Sequence, residues 1–146
     1  MEKIVVSACL CGFPCRMDGK SKPNEYVLEL YRRGIAYPVC PEQDGGLPTP
    51  RDPAEQVGDR VITRHGQDVT AEYRRGALID TEKALNMGCR RAILKSKSPS
   101  CGVGMVHNGR FEGGLVPGDG VFARMLMEHG IECIPDTEAG PDRLKE

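Results

Sequence analysis

Arg91-Ala92-Ile93-Leu94-Lys95-Ser96-Lys97-Ser98-Pro99-Ser100-Cys101-Gly102-Val103-Gly104 is the stretch that decides the fold. Its first four residues read as a short buried strand, an apolar run bounded by turn formers. The remainder is small and polar, with one proline, two glycines and one thiol. Such a loop cannot pack a core; it suits presenting backbone N–H groups, hydroxyls and one sulfur to a bound group. A single cysteine there is usually no more than a small side chain. Here, however, two other strand ends run into loops of the same kind, each with its own thiol.

Working outward, Lys3 to Ala8 is β-branched and strand-like, and it enters a loop from Cys9 to Gly19 that also holds Cys11 and Cys15. Pro23 stands near the start of a helix through Glu25–Tyr31, with Val27, Leu30 and Tyr31 at helical spacing and Gly34 as its stop. Ile35–Val39 is the second strand, and Pro38 marks either a sheet edge or a strand that is nearly over. The next loop runs from Cys40 to Arg51. Asp52-Pro53-Ala54-Glu55 predicts a helical turn, with Asp52 as cap and Glu55 at the capping-box position.

His65-Gly66 predicts a hairpin turn between Arg60–Arg64 and Gln67–Val69. Thr70 is the expected cap of a long helix that turns Tyr73, Ala77, Leu78 and Leu85 inward and closes at Asn86 and Gly88. Asn108-Gly109 predicts a second hairpin within Val106–Phe111. Asp119 is the expected cap of a helix over Val121–Glu128, and Ile131–Ile134 is a last strand.

Strand and helix alternate throughout. The expected fold is a three-layer α/β sandwich with a mostly parallel, Rossmann-like sheet and two hairpin insertions. It forms a single domain over residues 1–140, followed by a polar, partly disordered tail at 141–146. In such sheets ligands bind beyond the carboxyl ends of the strands. The loops after Ala8, Val39 and Leu94 leave from that edge, which would bring Cys9, Cys40 and Cys101 to one place.

Composition narrows the function. The net charge of −1 over 146 residues supplies no basic field for DNA or RNA, and with no Trp and 5% aromatics there is little to stack bases on. No leader or long apolar run is seen, so a cytoplasmic protein without membrane contact is expected. Seven cysteines, an odd number, fit reduced thiols better than a disulfide framework.

Cys9, Cys40 and Cys101 lack the close pairing of zinc ribbons, ferredoxins and thioredoxins. Thiolates favour zinc or iron–sulfur, and three ligands on a [4Fe–4S] cluster leave one iron open, as a catalytic site requires. Cys11 and Cys15 read as loop residues near that site, with a fourth ligand or a persulfide relay as the alternative for either; Cys89 and Cys133 read as core. Glu42 is either a general acid or base or a solvated loop acid. Ser98 either binds substrate or bonds its own backbone in a turn. Arg16 and Arg51 orient an anionic or carbonyl substrate or else pair at the surface. Lys95 and Lys97 are solvated or meet a phosphate. None of His65, His107 and His129 reads as a ligand.

The segments Ser7–Gly12 with Cys15–Gly19, Cys40–Glu42 with Gly45–Arg51, and Lys95–Gly102 together resemble the thiouracil desulfurase (TudS-like) family. The resemblance spans essentially the whole chain. It implies a [4Fe–4S] cluster held by three cysteines, with one iron not ligated by protein, and an activity that replaces the sulfur of a thiolated uracil with oxygen. Carried over by motif, the ligands are Cys9, Cys40 and Cys101, with Cys15 as the possible substitute. Glu42 becomes the proton donor or water activator, and Ser98 a substrate-positioning group.

Longer relatives that act on thiolated tRNA carry a further domain absent here, so a free base or nucleoside is the expected substrate. The expected reaction is a non-redox hydrolysis of 2-thiouracil or a 4-thiouracil derivative to uracil and hydrosulfide. Two readings compete with it: a non-catalytic cluster- or zinc-binding module, and a protein handling thionucleosides in tRNA.

Overall fold

The computed structural model describes residues 2–144. Its centre is a parallel sheet of β1 (Ile4–Ser7), β2 (Ala36–Val39), β5 (Arg91–Leu94) and β8 (Glu132–Pro135), in the order β2-β1-β5-β8. Each strand is four residues long, and side chains alternate between two apolar layers. Val5, Ala92 and Leu94 join a core with Phe122, Leu126 and Ala77. Ile4, Val6, Ile93 and Ile134 join the opposite core with Leu10, Val27 and Leu30. Helices α3 (Thr70–Asn86) and α4 (Val121–Glu128) serve the first core, and α1 (Glu25–Arg32) the second. The three-layer sandwich expected from the sequence is thus present, with Pro38 on an edge strand.

Two antiparallel hairpins are inserted, β3 (Ala54–Val57) with β4 (Arg60–Thr63), and β6 (Met105–His107) with β7 (Leu115–Pro117). The first overturns the helical turn expected at Asp52. Asp52 does not cap a helix; its carboxylate accepts the His65 backbone N–H at 3.1 Å. Glu55 does not reach back to a cap either. It is buried, and its Oε1 accepts the N–H groups of Gly109 (2.9 Å) and Phe111 (3.2 Å), tying the two insertions together. His65-Gly66 does reverse the chain, through Thr63 N–H to Gln67 O at 2.8 Å and a bridge between Ile62 and Asp68. Asn108-Gly109 falls within a longer connection between β6 and β7.

Helix α3 shows the largest departure from apolar patterning. Tyr73 and Ala77 face inward as expected, but Leu78 and Leu85 are exposed. The buried face instead includes Gly76, Asp80, Thr81 and Ala84. The reason is a backbone-to-backbone crossing with the one-turn helix α2 (Pro41–Asp44), which the sequence reading left as loop. A Cβ on Gly76 would overlap Pro41 O, and one on Gly45 would overlap Glu72 O. The caps also differ. Thr70 Oγ1 accepts Val61 N–H at 2.8 Å, and Asp119 Oδ1 accepts Gly104 N–H at 2.8 Å. Asn24 caps α1 by accepting Val27 N–H at 3.1 Å.

The C-terminal segment is packed: Asp136–Glu138 forms a 3-10 turn and Leu144 is buried in the second core. Of the expected tail, residues 145–146 lie outside those described. No helix among the described residues is long and apolar enough to cross a membrane.

Asp80 is fully buried, and neither carboxylate oxygen has a hydrogen-bond partner; Lys83 Nζ lies 3.6 Å from Oδ1 and 3.7 Å from Asp44 Oδ2. Burial, reinforced by Asp44, pushes the Asp80 carboxyl from 3.8 up to about 8. The folded state therefore binds a proton that the unfolded chain has released above pH 4, and Asp80 withdraws stability as pH rises from about 4 to about 8. Urea midpoints across that window should fall in the wild type and fall less in Asp80→Asn. Separately, Gly76→Ala should cost about 2 kcal/mol or more by forcing α2 off α3. Gly140→Ala, with nothing near its Cβ, should be close to neutral in the same titration.

Candidate active site

Strands β2 and β5 flank β1, so the chain direction across the sheet reverses between β1 and β5. Beyond the carboxyl ends of those strands lies a cavity of about 440 Å³. Its lining includes Cys9, Cys15, Cys40 and Cys101 together with Glu42, Arg51, Tyr73 and Ser98. Cys9, Cys40 and Cys101, widely spaced in the sequence, thus line one cavity.

Each thiol is set by local backbone. Cys9 sits in a 3-10 turn, Ala8–Cys11, that begins where β1 ends and is closed by Gly12 at φ 89°. Cys15 follows on the same loop, and its carbonyl accepts Arg51 Nη2 at 2.9 Å. Cys40 is the residue before Pro41 at the start of α2, and its Sγ–H points to Cys15 O at 3.7 Å. Cys101 is held by a loop folded onto the start of α4, where Val121 and Phe122 give their N–H groups to Pro99 O and Ser100 O, both at 2.9 Å. The unpaired N–H groups of a helix start thereby fix the loop.

Hydrogen bonding with Cys40 lowers the Cys15 thiol, but hydrogen bonding with Cys9 and burial outweigh it and bring it up to about 11. Hydrogen bonding with Cys15, and then burial, pushes the Cys40 thiol up. Burial raises Cys101, opposed by the Ser7 hydroxyl. Thiols in this setting keep their protons unless a soft metal displaces them.

No three His, Cys, Asp or Glu side chains among the described residues are placed to hold a single metal ion. The cavity instead offers four sulfurs from three chain segments along its walls. That donor set suits a polynuclear iron–sulfur body better than one zinc. Cys11, Cys89 and Cys133 are not on the cavity wall. Cys89 and Cys133 belong to the first core, as expected, and burial raises the Cys11 thiol to about 11.

Glu42 lies on α2, one turn from the glycine crossing. Arg51 grips its Oε2 through Nη2 and through Nε at 2.9 Å. This is a nearly buried ion pair, with side chains 6% and 13% exposed. Tyr73 donates its hydroxyl to Glu42 Oε1 at 3.1 Å. Of the two arginines read as substrate-orienting or paired, Arg51 is thus paired with Glu42, and Arg16 stands 3.8 Å from Asp18.

Ser98 does bond its own backbone: its Oγ accepts the N–H groups of Ser100 (3.1 Å) and Cys101 (3.0 Å). With both lone pairs used, what it retains for the cavity is its own hydrogen.

Sequence reading missed Tyr73, classed as core because its helical spacing is apolar, and Glu55. His107, assigned to a turn, lies on β6 and lines the cavity, and its Nδ1 is buried without a hydrogen-bond partner. No local pattern marks these residues; only the topology brings them to the site.

A family model described as 2-thiouracil desulfurase matches residues 4–138. The uncharacterized protein YbbK of Bacillus subtilis (strain 168) is 37% identical over 145 residues, covering 92% of this chain and 96% of the relative. The solved structure of a [4Fe-4S]-dependent thiouracil desulfidase, TudS, superposes with a TM-score of 0.91 at 48% identity, covering 94% of this chain and 93% of that one. With a family model matching nearly the whole chain, the chain belongs to the 2-thiouracil desulfurase family.

Proposed function

We propose that this protein is an iron–sulfur-dependent desulfidase that converts a thiolated uracil, as free base or nucleoside, and water into the uracil product and hydrosulfide. Family membership and the likeness to a [4Fe-4S]-dependent desulfidase support the activity class. The observation that carries the residue assignment is four thiols lining one small cavity together with Glu42 and Ser98. The volume of about 440 Å³ suits a small molecule.

Cys9, Cys40 and Cys101 are the assigned cluster ligands, with Cys15 as the competitor for one place. Held by these thiolates, a [4Fe–4S] cluster would supply Lewis-acid chemistry toward the thiocarbonyl sulfur. Ser98 gives its hydrogen to the pyrimidine and orients the ring. Glu42 accepts a proton from water, whose oxygen adds to the carbon bearing sulfur. Glu42 returns its proton to sulfur as the carbon–sulfur bond breaks, the new hydroxyl gives its proton to solvent, and sulfur departs as hydrosulfide. Oxygen replaces sulfur atom for atom, and no electrons are transferred.

Anaerobic reconstitution with iron and sulfide, followed by a thiouracil turnover assay on the same sample, tests this reading. Glu42→Gln should keep its iron and lose about 10²-fold or more in kcat. Normal turnover in that variant removes Glu42 from the mechanism. Single Ser replacements at Cys9, Cys40 and Cys101 should each fail to hold a full complement of iron, whereas Cys89→Ser and Cys133→Ser should hold it. If Cys15→Ser loses iron and Cys40→Ser does not, the ligand set is Cys9, Cys15 and Cys101.

A further inference from the structure

We infer that Tyr73 is a positioning residue for this reaction: with Arg51 on one oxygen of Glu42 and its own hydroxyl on the other, it fixes Oε1 as the atom that works on water. The inference rests on the assignment of Glu42 as base. Each carboxylate oxygen has two lone pairs. On Oε2 both meet the Arg51 fork, through Nε and Nη2. On Oε1 one is taken by the Tyr73 hydroxyl at 3.1 Å, and the other remains for a water proton.

The donors themselves are held firmly. Arg51 also gives Nη1 to Thr49 Oγ1 (2.9 Å) and Pro48 O (3.2 Å), and Nη2 to Cys15 O (2.9 Å), so its plane is set by four acceptors besides its own backbone. Tyr73 sits one helical turn before Gly76, where α3 meets the backbone of α2. The same crossing that seats Glu42 therefore seats the phenol. Tyr73 is 3% exposed, and burial followed by the Glu42 charge holds its phenol well above the usual range, so it stays a donor.

In the step itself the water O–H bond breaks, its proton goes to Oε1, and the new carbon–oxygen bond forms at the ring. Tyr73 keeps its proton throughout. A charge-assisted hydrogen bond of this kind also selects the rotamer of the carboxylate, which governs the approach angle to the water.

Tyr73→Phe removes the hydroxyl and preserves the ring that fills the core. In the reconstituted enzyme, kcat should fall about 10-fold, the worth of one hydrogen bond to a charged group. KM should stay within about twofold, and iron content should match the wild type. A purely structural tyrosine would leave kcat unmoved. Added to Glu42→Gln, Tyr73→Phe should change kcat by less than about twofold, because the group it positions is gone.

A wild-type kcat in Tyr73→Phe, a loss confined to KM, or a full additive loss in the double variant each overturns the positioning role. The Glu42→Gln single variant reports separately on the base. If it turns over normally, both assignments fall. If it is slow while Tyr73→Phe is normal, only the positioning role does.

Discussion

A buried guanidinium organises this site. Desolvating an arginine is expensive unless its donors are paired. Arg51 meets that demand with the Glu42 carboxylate, the carbonyls of Cys15 and Pro48, and the Thr49 hydroxyl. Those acceptors come from the loop after β1, from α2 after β2, and from the turn that leads into the first insertion. One side chain thus fixes the distance between a thiol-bearing loop and the candidate base. Its cation would be left uncompensated by any rearrangement that separated them, so the two loops behave as one rigid body.

The sheet supplies the remaining geometry. Parallel strands of four residues offer little length for a site, but they all end on the same edge. The order β2-β1-β5-β8 leaves a crevice where successive connections go opposite ways. Ser7 and Lys95 sit at its two lips and are joined by Lys95 N–H to Ser7 Oγ at 2.9 Å. Cys9 and Cys101 lie immediately beyond. The sulfurs converge because the fold places the ends of β1 and β5 side by side, despite about ninety residues of chain between them.

Much of this was legible in the sequence because it is written in local rules. Strand runs, Pro38 on the edge, helix spans and thiol-bearing loops all follow from spacing and from turn formers. Elsewhere, long-range contacts overrode the local signal. Asp52 to Glu55 carries a helix-start pattern, yet Glu55 serves two amides more than fifty residues away. Leu78 and Leu85 have the spacing of a core face. The face that packs is nevertheless the one with Gly76, since backbone contact with α2 admits no larger residue. Tyr73 is invisible as a site residue because a period of apolar positions cannot distinguish a ring that fills a core from one whose polar end reaches into a pocket, and His107 reaches the cavity only through the topology that places β6 there.

The Glu55 carboxylate has one more implication. The cavity wall also includes Phe111, Gly113 and His107, and these come from the insertion that Glu55 fastens to its neighbour. The first insertion clasps the second through the Glu55 carboxylate and through the Arg64 guanidinium, which stands 5.8 Å from the centre of the Phe111 ring. The second insertion is also bridged to the Cys101-bearing loop through Lys97 and Val106, so the strand that shapes this wall and the loop that carries a thiol share one backbone pairing and cannot be altered independently.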